Sequence, residues 1–354
     1  MDAFSAWLLI PGSLELRTGG YAYDRRIAAE LRRRGWTIEV RELDGSFPRP
    51  TSSALADAVR VLSAIPDGST VLVDGLAFGA MPAEVEREAE RLRLVVLLHM
   101  PLAAEIGIDS DVAARLEASE RRALGAASLV VVTGRWTVSA LERYDVGRHR
   151  IALVEPGTDR APLARGSSGS RLELLCVATV NTGKGHEILI RALASLPQRD
   201  WHLTCAGSLD RDPPTVQRVR GVIRAMKVED RVSLAGELDD AALAAAFDHA
   251  DVFVLATLRE TYGMAVAEAL AHGLPVVSTT TGAIADLVGP AADGAGLLVP
   301  PGDETALAAE LSRVMSDAWL RDRLAAGARR MRDRLPTWDD AAEKLAAALA
   351  RVRD

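Results

Sequence analysis

The sequence predicts an α/β protein built from two doubly wound domains, and three features support this. Short apolar runs alternate with longer runs of helical periodicity along almost the whole chain. Several short runs, such as STVLVDG (69–75) and LRLVVLLH (92–99), are apolar at nearly every position, which is typical of parallel strands buried on both faces. A stretch rich in Pro, Gly and Ser, TDRAPLARGSSGS (158–170), is typical of a linker, and the same alternation restarts after it.

The first domain is predicted over residues 1–160. Helical runs such as YAYDRRIAAELRRRG (21–35) lie between its strands, and this order implies a parallel sheet with helices on both faces. The predicted strands are AWLLI (6–10), TIEVREL (37–43), STVLVDG (69–75), LRLVVLLH (92–99), ASLVVVTG (127–134) and RIALVEPG (150–157).

The second domain is predicted over residues 161–336, and a terminal helix over 337–354 with Thr337 as its N-cap. Two such domains joined by one linker make a cleft. Ligands of doubly wound sheets bind at the carboxyl ends of the strands, so we expect the loops after strands to carry the function. The predicted strands are LELLCVATV (172–180), WHLTCAG (201–207), VSLAG (232–236), DVFVLA (251–256), PVVST (275–279) and GLLVP (296–300).

Composition excludes several classes of protein. The net charge of −7 over 354 residues argues against general affinity for nucleic acid, which requires a basic surface. The two cysteines, Cys176 and Cys205, lie inside apolar runs, which predicts buried free thiols in a reducing compartment. The first residues, MDAFSAWLLIPGS, contain no basic leader, and their apolar run is too short for a signal core or a membrane span. We therefore expect a soluble cytoplasmic protein.

The stretch RETYGMAVAEALAHGLPVVS (259–278) places two carboxylates around a helix start. Glu260 is predicted in the loop after a strand, and Glu268 inside the helix that Gly263 opens. The free N–H groups of residues 263–265 suit an anion such as a diphosphate. A carboxylate on each side could then bind the hydroxyls of a ribose and of a sugar. Either glutamate alone would be an ordinary solvated charge, but the combination fits one extended ligand made of nucleoside, diphosphate and sugar.

This stretch, followed by GAGLLVPPGDETALAAEL (294–311), resembles the donor-binding region of glycosyltransferase family 4. VATVNTGKGHEILIRAL (177–193) is similar to the lysine–glycine loop of the family, and TGGYAYDRRIAAELRRRGWTIEV (18–40) to its N-terminal glycine loop and first helix. VEPGTD (154–159) resembles the end of its first domain. The resemblance implies a GT-B fold, in which two Rossmann-like domains face a central cleft. It also implies an N-terminal acceptor domain, on which helix 337–354 packs back, and a C-terminal donor domain.

The resemblance also implies roles for particular residues. Lys184, between two glycines, would neutralise the charge of the departing diphosphate. His99, at the end of a buried strand, would lie beside the sugar and the acceptor, and Glu260 would bind sugar hydroxyls. These three are the catalytic candidates. The donor-binding candidates are Gly19, Gly20, Lys184, Glu237, Leu238, Glu260, Gly263, Met264, Ala265 and Glu268.

The acceptor-binding candidates are His99, Tyr21 and Tyr23, although either tyrosine could equally serve packing. The other five histidines are expected to be structural or on the surface. No cofactor or metal is expected, because the sequence lacks a paired-aspartate motif and Cys/His ligand spacing. The basic run RRIAAELRRRGW (25–36) could lie on a membrane, but it fits a solvated helix equally well.

The sequence departs from the family pattern in two places. The family usually has an arginine a few residues before the lysine, and residues 179–183 supply none; Arg259 is a possible substitute. Asp286 stands where the family usually has a longer glutamate.

The predicted function is a retaining transfer of a hexosyl group from a nucleotide diphosphate sugar to an unidentified acceptor. Two alternatives within the fold stay open: a non-catalytic nucleotide-sugar-binding protein, and a nucleotide-sugar epimerase, for which no acid/base carboxylates can be assigned. A nicotinamide oxidoreductase is disfavoured because no strand is followed by G-x-G-x-x-G. The base, the sugar, the acceptor and the oligomeric state are left undetermined.

Overall fold

The computed structural model describes residues 4–167, 169 and 171–353. The chain forms two compact units, one comprising residues 1–157 with 336–354 and the other residues 158–335. Each unit contains one six-stranded sheet in which every pairing is parallel. Among the described residues, no helix combines the length and the apolar composition needed to cross a bilayer.

The sheet of the first unit has the strand order β2-β1-β3-β4-β5-β6. The strands are β1 (Ser5–Pro11), β2 (Thr37–Leu43), β3 (Thr70–Asp74), β4 (Arg93–Leu98), β5 (Leu129–Val132) and β6 (Ile151–Leu153). The helices are α1 (Gly19–Arg33), α2 (Ser52–Ser63), α3 (Gly75–Phe78), α4 (Pro82–Glu88), α5 (Ser110–Gly125) and α6 (Arg135–Ala140). Strands β3 to β5 are buried along almost their whole length, because helices cover both faces of the sheet.

The sheet of the second unit has the strand order β12-β11-β10-β7-β8-β9. Its strands are β7 (Leu172–Val177), β8 (Trp201–Ala206), β9 (Val232–Gly236), β10 (Val252–Leu255), β11 (Val276–Thr279) and β12 (Gly296–Val299). Its helices are α7 (His186–Ala194), α8 (Pro213–Ala225), α9 (Asp240–His249), α10 (Met264–Ala271), α11 (Ile284–Val288), α12 (Glu304–Ser316) and α13 (Ala318–Arg332).

The last helix, α14 (Trp338–Arg353), lies in the first unit and packs against α1. Thr337 caps it, as predicted: the Thr337 hydroxyl accepts from the N–H of Asp340, and the Asp340 carboxylate accepts from the N–H of Thr337. The Trp338 ring lies 5.8 Å from that of Tyr23. A Cβ at Gly157 would fall 2.2 Å from the Trp338 nitrogen, so only glycine fits beneath this helix start.

The predicted linker is an anchored segment of the second unit in its described part. The Ala164 N–H donates to the carbonyl of His272, 2.8 Å away, and the Arg165 N–H donates to the carbonyl of Asp248, 2.9 Å away. The carboxylate of Asp251 accepts from the N–H of Ser167. Composition alone suggests flexibility here, but these hydrogen bonds fix the backbone. Residues 168 and 170 of this stretch lie outside the described residues.

Candidate functional site

In each unit the strand order creates one place where a ligand site is expected. The chain leaves β7 toward β8 and β9 and returns on the other side of β7 with β10, so the loops after these two adjacent strands diverge. In the first unit the same reversal occurs between β1 and β3. Open α/β sheets bind ligands at the carboxyl ends of the strands at such points.

In the second unit, the loop after β7 carries Lys184. The Asn181 side chain caps the turn by accepting from the N–H of Lys184 at 3.2 Å. Gly185 has a φ of +67°, and a Cβ there would lie 2.1 Å from the carbonyl oxygen of Ala256 at the end of β10. The carbonyl of Gly183 accepts from the N–H of Leu258 at 2.7 Å. The glycines on either side of Lys184 therefore hold this loop against the loop after β10.

Lys184 and Glu260 form an ion pair. The Lys184 Nζ lies 2.6 Å from Glu260 Oε2, and their side chains are only 26% and 16% exposed. The backbone of Glu260 is fixed as well, because its N–H donates to the hydroxyl of Thr281 at 3.2 Å. Gly282 has a φ of +59°, and a Cβ there would lie 2.3 Å from the Glu260 carbonyl oxygen. Glu260 is thus held between the loops that follow β7 and β11.

Helix α10 begins next to this ion pair. Gly263, with a φ of +99°, precedes Met264, and within the described ranges no side chain caps the helix start. A Cβ at Gly263 would lie 3.6 Å from Glu260 Cγ, which places the helix start beside that glutamate. The first N–H groups of a helix lack intrahelical acceptors and carry the positive end of its dipole. This end of α10 is therefore suited to an anion.

Glu268 lies one turn into α10 and is half-buried. Within the described part of the chain, its carboxylate has no hydrogen-bond or ion-pair partner. Burial, and then the negative charge of Asp159, raise the pKa of Glu268 to about 7. An unpaired carboxylate at a partly buried position costs stability. A ligand that donates hydrogen bonds to it would offset this cost.

Three other positions belong to the donor region that the sequence predicts. Glu237 and Leu238 follow β9, the edge strand of the sheet; Glu237 is exposed and Leu238 half-buried. Asp286, on α11, is exposed to solvent. Their predicted relation to a nucleotide stays a prediction.

In the first unit, His99 lies directly after β4 in a cluster with two buried aspartates. Its Nε2 is 3.0 Å from Asp24 Oδ1 and 3.6 Å from Asp74 Oδ2. A Cβ at Gly20 would lie 3.1 Å from His99 Cδ2, whereas Gly19 faces open space. Gly20, predicted to approach a phosphate, therefore provides room for the imidazole ring. Gly19 is unobstructed and stays a candidate for ligand contact.

Buried charge shapes the protonation of this cluster. Burial, and then the charge of Asp24, raise the pKa of Asp74 to about 7. Burial alone would lower the pKa of His99. The charges of Asp24 and Asp74, together with the hydrogen bond that the ring donates to Asp24, outweigh this effect of burial, so the pKa of His99 is raised. The cluster therefore retains protons near neutral pH that exposed side chains of these types would release.

The two tyrosines proposed as acceptor contacts are buried. The Tyr23 hydroxyl donates to the carbonyl of Val154 at 3.1 Å, and its side chain is 1% exposed. The Tyr21 hydroxyl donates to the carbonyl of Pro11, and Tyr21 is also buried. Both tyrosines follow Gly20 in helix α1, and their rings point into the core. Their burial favours a role in packing over contact with an acceptor.

Sequence reasoning missed Asp24 and Asp74. Asp74 ends the apolar run of β3 just as His99 follows that of β4, and this signal could have identified it. Asp24 lies in a helix whose sequence gives no hint of burial.

Sequence reasoning also missed a buried group formed by Cys176, Cys205 and His186. Both thiols are free, as predicted, and buried. The two cysteines are paired in register on β7 and β8, and His186 Nε2 is 3.8 Å from Cys176 Sγ. The three donor atoms lie within 4.8 Å of one another, a convergence that the spacing in the sequence conceals. This is the set of described residues whose donors best suit a soft metal ion.

Comparisons with known proteins agree with this architecture. Residues 171–317 match the protein-family model described as Glycosyl transferases group 1. A D-inositol 3-phosphate glycosyltransferase of Xylanimonas cellulosilytica is 31% identical over 240 residues, which cover 63% of this chain and 57% of that protein. The match thus spans little more than half the length of this curated relative.

Solved structures extend the similarity over the whole chain. Sucrose-phosphate synthase from Thermosynechococcus elongatus has a TM-score of 0.83 at 21% identity, with 98% of this chain and 99% of that chain covered. Anabaena HepE in complex with UDP-glucose has a TM-score of 0.78 at 19% identity, with 98% and 99% covered.

Two Rossmann-like units, each built on one parallel six-stranded sheet, and the similarity to these solved structures define a protein of GT-B fold. The match of residues 171–317 to the group 1 glycosyltransferase model agrees with the resemblance to glycosyltransferase family 4 that the motifs predict. The predicted fold class and the predicted resemblance are both confirmed.

Proposed function

We propose that this protein transfers a hexosyl group from a nucleotide diphosphate sugar to an acceptor, with retention of configuration. The observation that carries the proposal is the group of charges at the reversal point of the second sheet. Lys184, Glu260 and the start of α10 are contiguous there, and the unpaired carboxylate of Glu268 follows on the same helix.

Each part of a nucleotide sugar has a complement in this group. Lys184 and the N–H groups of residues 263–265 are suited to the diphosphate. Glu268 is suited to the ribose hydroxyls, which would supply the hydrogen bonds it lacks. Glu260 is suited to the sugar hydroxyls. Before a donor binds, Lys184 and Glu260 neutralise each other, so neither charge is left unpaired in a partly buried place.

The proposed reaction breaks the bond between the anomeric carbon and the diphosphate oxygen. Lys184 and the helix start would stabilise the negative charge that develops on the diphosphate. The acceptor hydroxyl would attack on the face that the diphosphate leaves, and a phosphate oxygen would take its proton. His99 would contact the acceptor or the sugar. No step requires a nucleophilic side chain.

The similar proteins support a nucleotide-linked hexose. HepE is solved with UDP-glucose, and the Xylanimonas protein is named as a glycosyltransferase of inositol 3-phosphate. They leave the base, the sugar and the acceptor of this chain to be determined, since acceptor loops vary freely on one fold.

A second candidate is a protein that binds a nucleotide sugar without turning it over. Residues 179–183 contain no arginine, and the shorter Asp286 stands where the family usually has a glutamate, so two groups expected in the donor region are absent from the sequence. Fewer cations around the diphosphate would weaken the stabilisation of its developing charge.

Donor turnover separates the two candidates. The protein is incubated with UDP-, GDP- and ADP-hexoses, and water serves as a slow acceptor. Proton NMR then follows the anomeric configuration of the hexose before it equilibrates. Release of a hexose with the configuration of the donor supports retaining transfer, whereas binding without release supports the non-catalytic candidate. Inverted product, or neither binding nor release, contradicts the proposal.

Variants assign the roles. Lys184→Ala should slow turnover more than it weakens donor binding, because the developing charge is greatest in the transition state. The matched control is Lys344→Ala, which removes an exposed lysine on α14 and should leave both quantities unchanged. Equal effects of the two variants would remove Lys184 from the site.

A further inference from the structure

We propose that Asp24 is a positioning residue that fixes the orientation and the protonated Nε2 of His99, so that Nδ1 is the ring nitrogen that meets a ligand. The inference rests on the proposed function only in giving His99 a ligand to contact. The arrangement itself is a property of the first unit and can be measured without any substrate.

The hydrogen bond to Asp24 determines which ring nitrogen of His99 carries the proton that faces the protein interior. Asp24 is fully buried, and its Oδ1 lies 3.0 Å from His99 Nε2. The pairing sets a carboxylate oxygen, which accepts hydrogen bonds, opposite Nε2, so Nε2 is the donor. The Nδ1 atom has no hydrogen-bond partner among the described residues and is not among their buried unsatisfied atoms, so it is accessible to solvent. The two ring nitrogens therefore have distinct environments.

Three residues of helix α1 lie next to the imidazole ring of His99. Gly20 and Asp24 are four residues apart, so they lie on the same face of the helix. Gly20 leaves room for the ring edge, 3.1 Å from where its Cβ would lie. Tyr23 contacts the ring edge-on, with 5.3 Å between ring centroids. Asp24 is the only one of these three that supplies charge and a hydrogen-bond acceptor.

The remaining charge in the cluster comes from Asp74 at the end of β3. Its Oδ2 lies 3.6 Å from His99 Nε2, and Asp24 Oδ2 is buried with no hydrogen-bond partner among the residues that the structure describes. The groups that set the charge of His99 are thus Asp24 on α1 and Asp74 on β3. Two buried carboxylates beside one imidazole are least costly when the ring is protonated and Asp74, whose pKa is raised by burial, holds a further proton. A protonated ring would present Nδ1–H to a ligand oxygen as a charged donor.

The direct test is NMR of the unliganded protein labelled with ¹⁵N-histidine. The chain has six histidines, and His99→Gln identifies the signals of His99. In the wild type, Nε2 of His99 should be protonated across the pH range. Asp24→Asn should lower the pKa of His99 by about 1 or more, because the neighbouring negative charge is lost. The control is Glu30→Gln, which removes a buried carboxylate of the same helix that pairs with Arg33 instead; it should leave His99 unchanged.

Several outcomes would overturn the inference. One is that His99 has the same pKa in Asp24→Asn as in the wild type. Another is that the neutral ring of wild-type His99 carries its proton on Nδ1 and not on Nε2. Loss or broadening of the His99 signals on adding one equivalent of Mn²⁺ would show instead that the cluster holds a cation. If Asp24→Asn fails to fold, the tautomer of His99 in the wild type still tests the inference: a proton on Nε2 supports it, and a proton on Nδ1 alone contradicts it.

Turnover separates this inference from the proposed function. If donors are hydrolysed, Asp24→Asn should shift the pH dependence of kcat/KM in the same direction as the pKa of His99, whereas a purely structural defect would lower activity at every pH. If no donor is turned over, the proposed function fails while the NMR result stands.

Discussion

Replacing Glu268 with glutamine should stabilise the unliganded protein and weaken donor binding at the same time. The carboxylate is half-buried on α10, lacks a partner among the described residues, and has its pKa raised from 4.5 to about 7 by burial and by Asp159. Glutamine has nearly the same shape and no charge. It removes the cost of holding a carboxylate in this position while keeping the packing.

The size of the effect follows from the shift in pKa. A change of one in pKa corresponds to about 1.4 kcal/mol. The rise of Glu268 from 4.5 to about 7 therefore corresponds to about 3 kcal/mol when the carboxylate is ionised, and solvent screening at a half-buried site leaves about 1–3 kcal/mol. Because the folded state holds the proton more tightly than the unfolded chain, this penalty is absent below pH 4.5 and complete above pH 7.

Urea unfolding at pH 5 and pH 8 measures the effect. At pH 8 Glu268→Gln should have a free energy of unfolding about 1–3 kcal/mol above that of the wild type, and at pH 5 the difference should shrink to about a quarter of that. Glu229→Gln, at an exposed glutamate of the same unit, is the control and should match the wild type at both values. Donor affinity should fall about 10-fold or more, since a hydrogen bond to a charged group contributes about 1.5–3 kcal/mol. A glutamine variant that is less stable than the wild type at pH 8 would refute the reasoning.

Two further predictions concern packing. Gly185→Ala should lower the free energy of unfolding by about 2 kcal/mol or more and abolish donor binding, since its Cβ would lie 2.1 Å from the Ala256 oxygen at a φ of +67°. Urea unfolding measures the loss. The control Gly221→Ala, at a glycine on α8 that faces open space, should show none. Trp338→Ala should cost the first unit about 3–5 kcal/mol, because Trp338 is buried against Tyr23, whereas thermal unfolding should barely change for Trp319→Ala, whose side chain is 72% exposed. Equal effects in either pair would contradict the packing described.

Local sequence signals predict the fold because each strand has its own apolar run. The runs at 69–75 and 92–99 are buried on both faces, as β3 and β4 are in the structure. The ends of the strands differ more from the apolar runs. The run at 150–157 forms a strand only over Ile151–Leu153. Proline, glycine and polar residues follow there, and they end the pairing with β5.

The candidate site in the second unit could be predicted because its residues lie next to glycines at strand ends. The sequence shows the glycines around Lys184, but it does not show that Gly185 packs on Ala256. It also does not show that Lys184 pairs with Glu260, which is 76 residues away. Such contacts depend on β7 and β10 being neighbours, and that follows from the order of strands in the sheet.

The cluster around His99 shows the same limit more clearly. The resemblance to glycosyltransferase family 4 implies that Gly20 binds the donor. In the structure it faces His99, 79 positions along the chain, because β1 and β4 flank β3 in the sheet. The pairing of Cys176 with Cys205 depends likewise on the register between β7 and β8. Side chains that come into contact because their strands are neighbours in the sheet can be far apart in the chain, so no local sequence pattern reveals the contact.

The most direct test of the central claim is calorimetric titration of the wild type and Glu268→Ala with UDP, GDP, ADP and their hexose conjugates. If residues 263–268 and Lys184 form a donor site, one nucleotide family should bind with one molecule per chain. Its affinity should fall about 10-fold or more in Glu268→Ala and stay unchanged in Glu229→Ala. Equal affinities in all three proteins, or no binding by any nucleotide, would contradict the account.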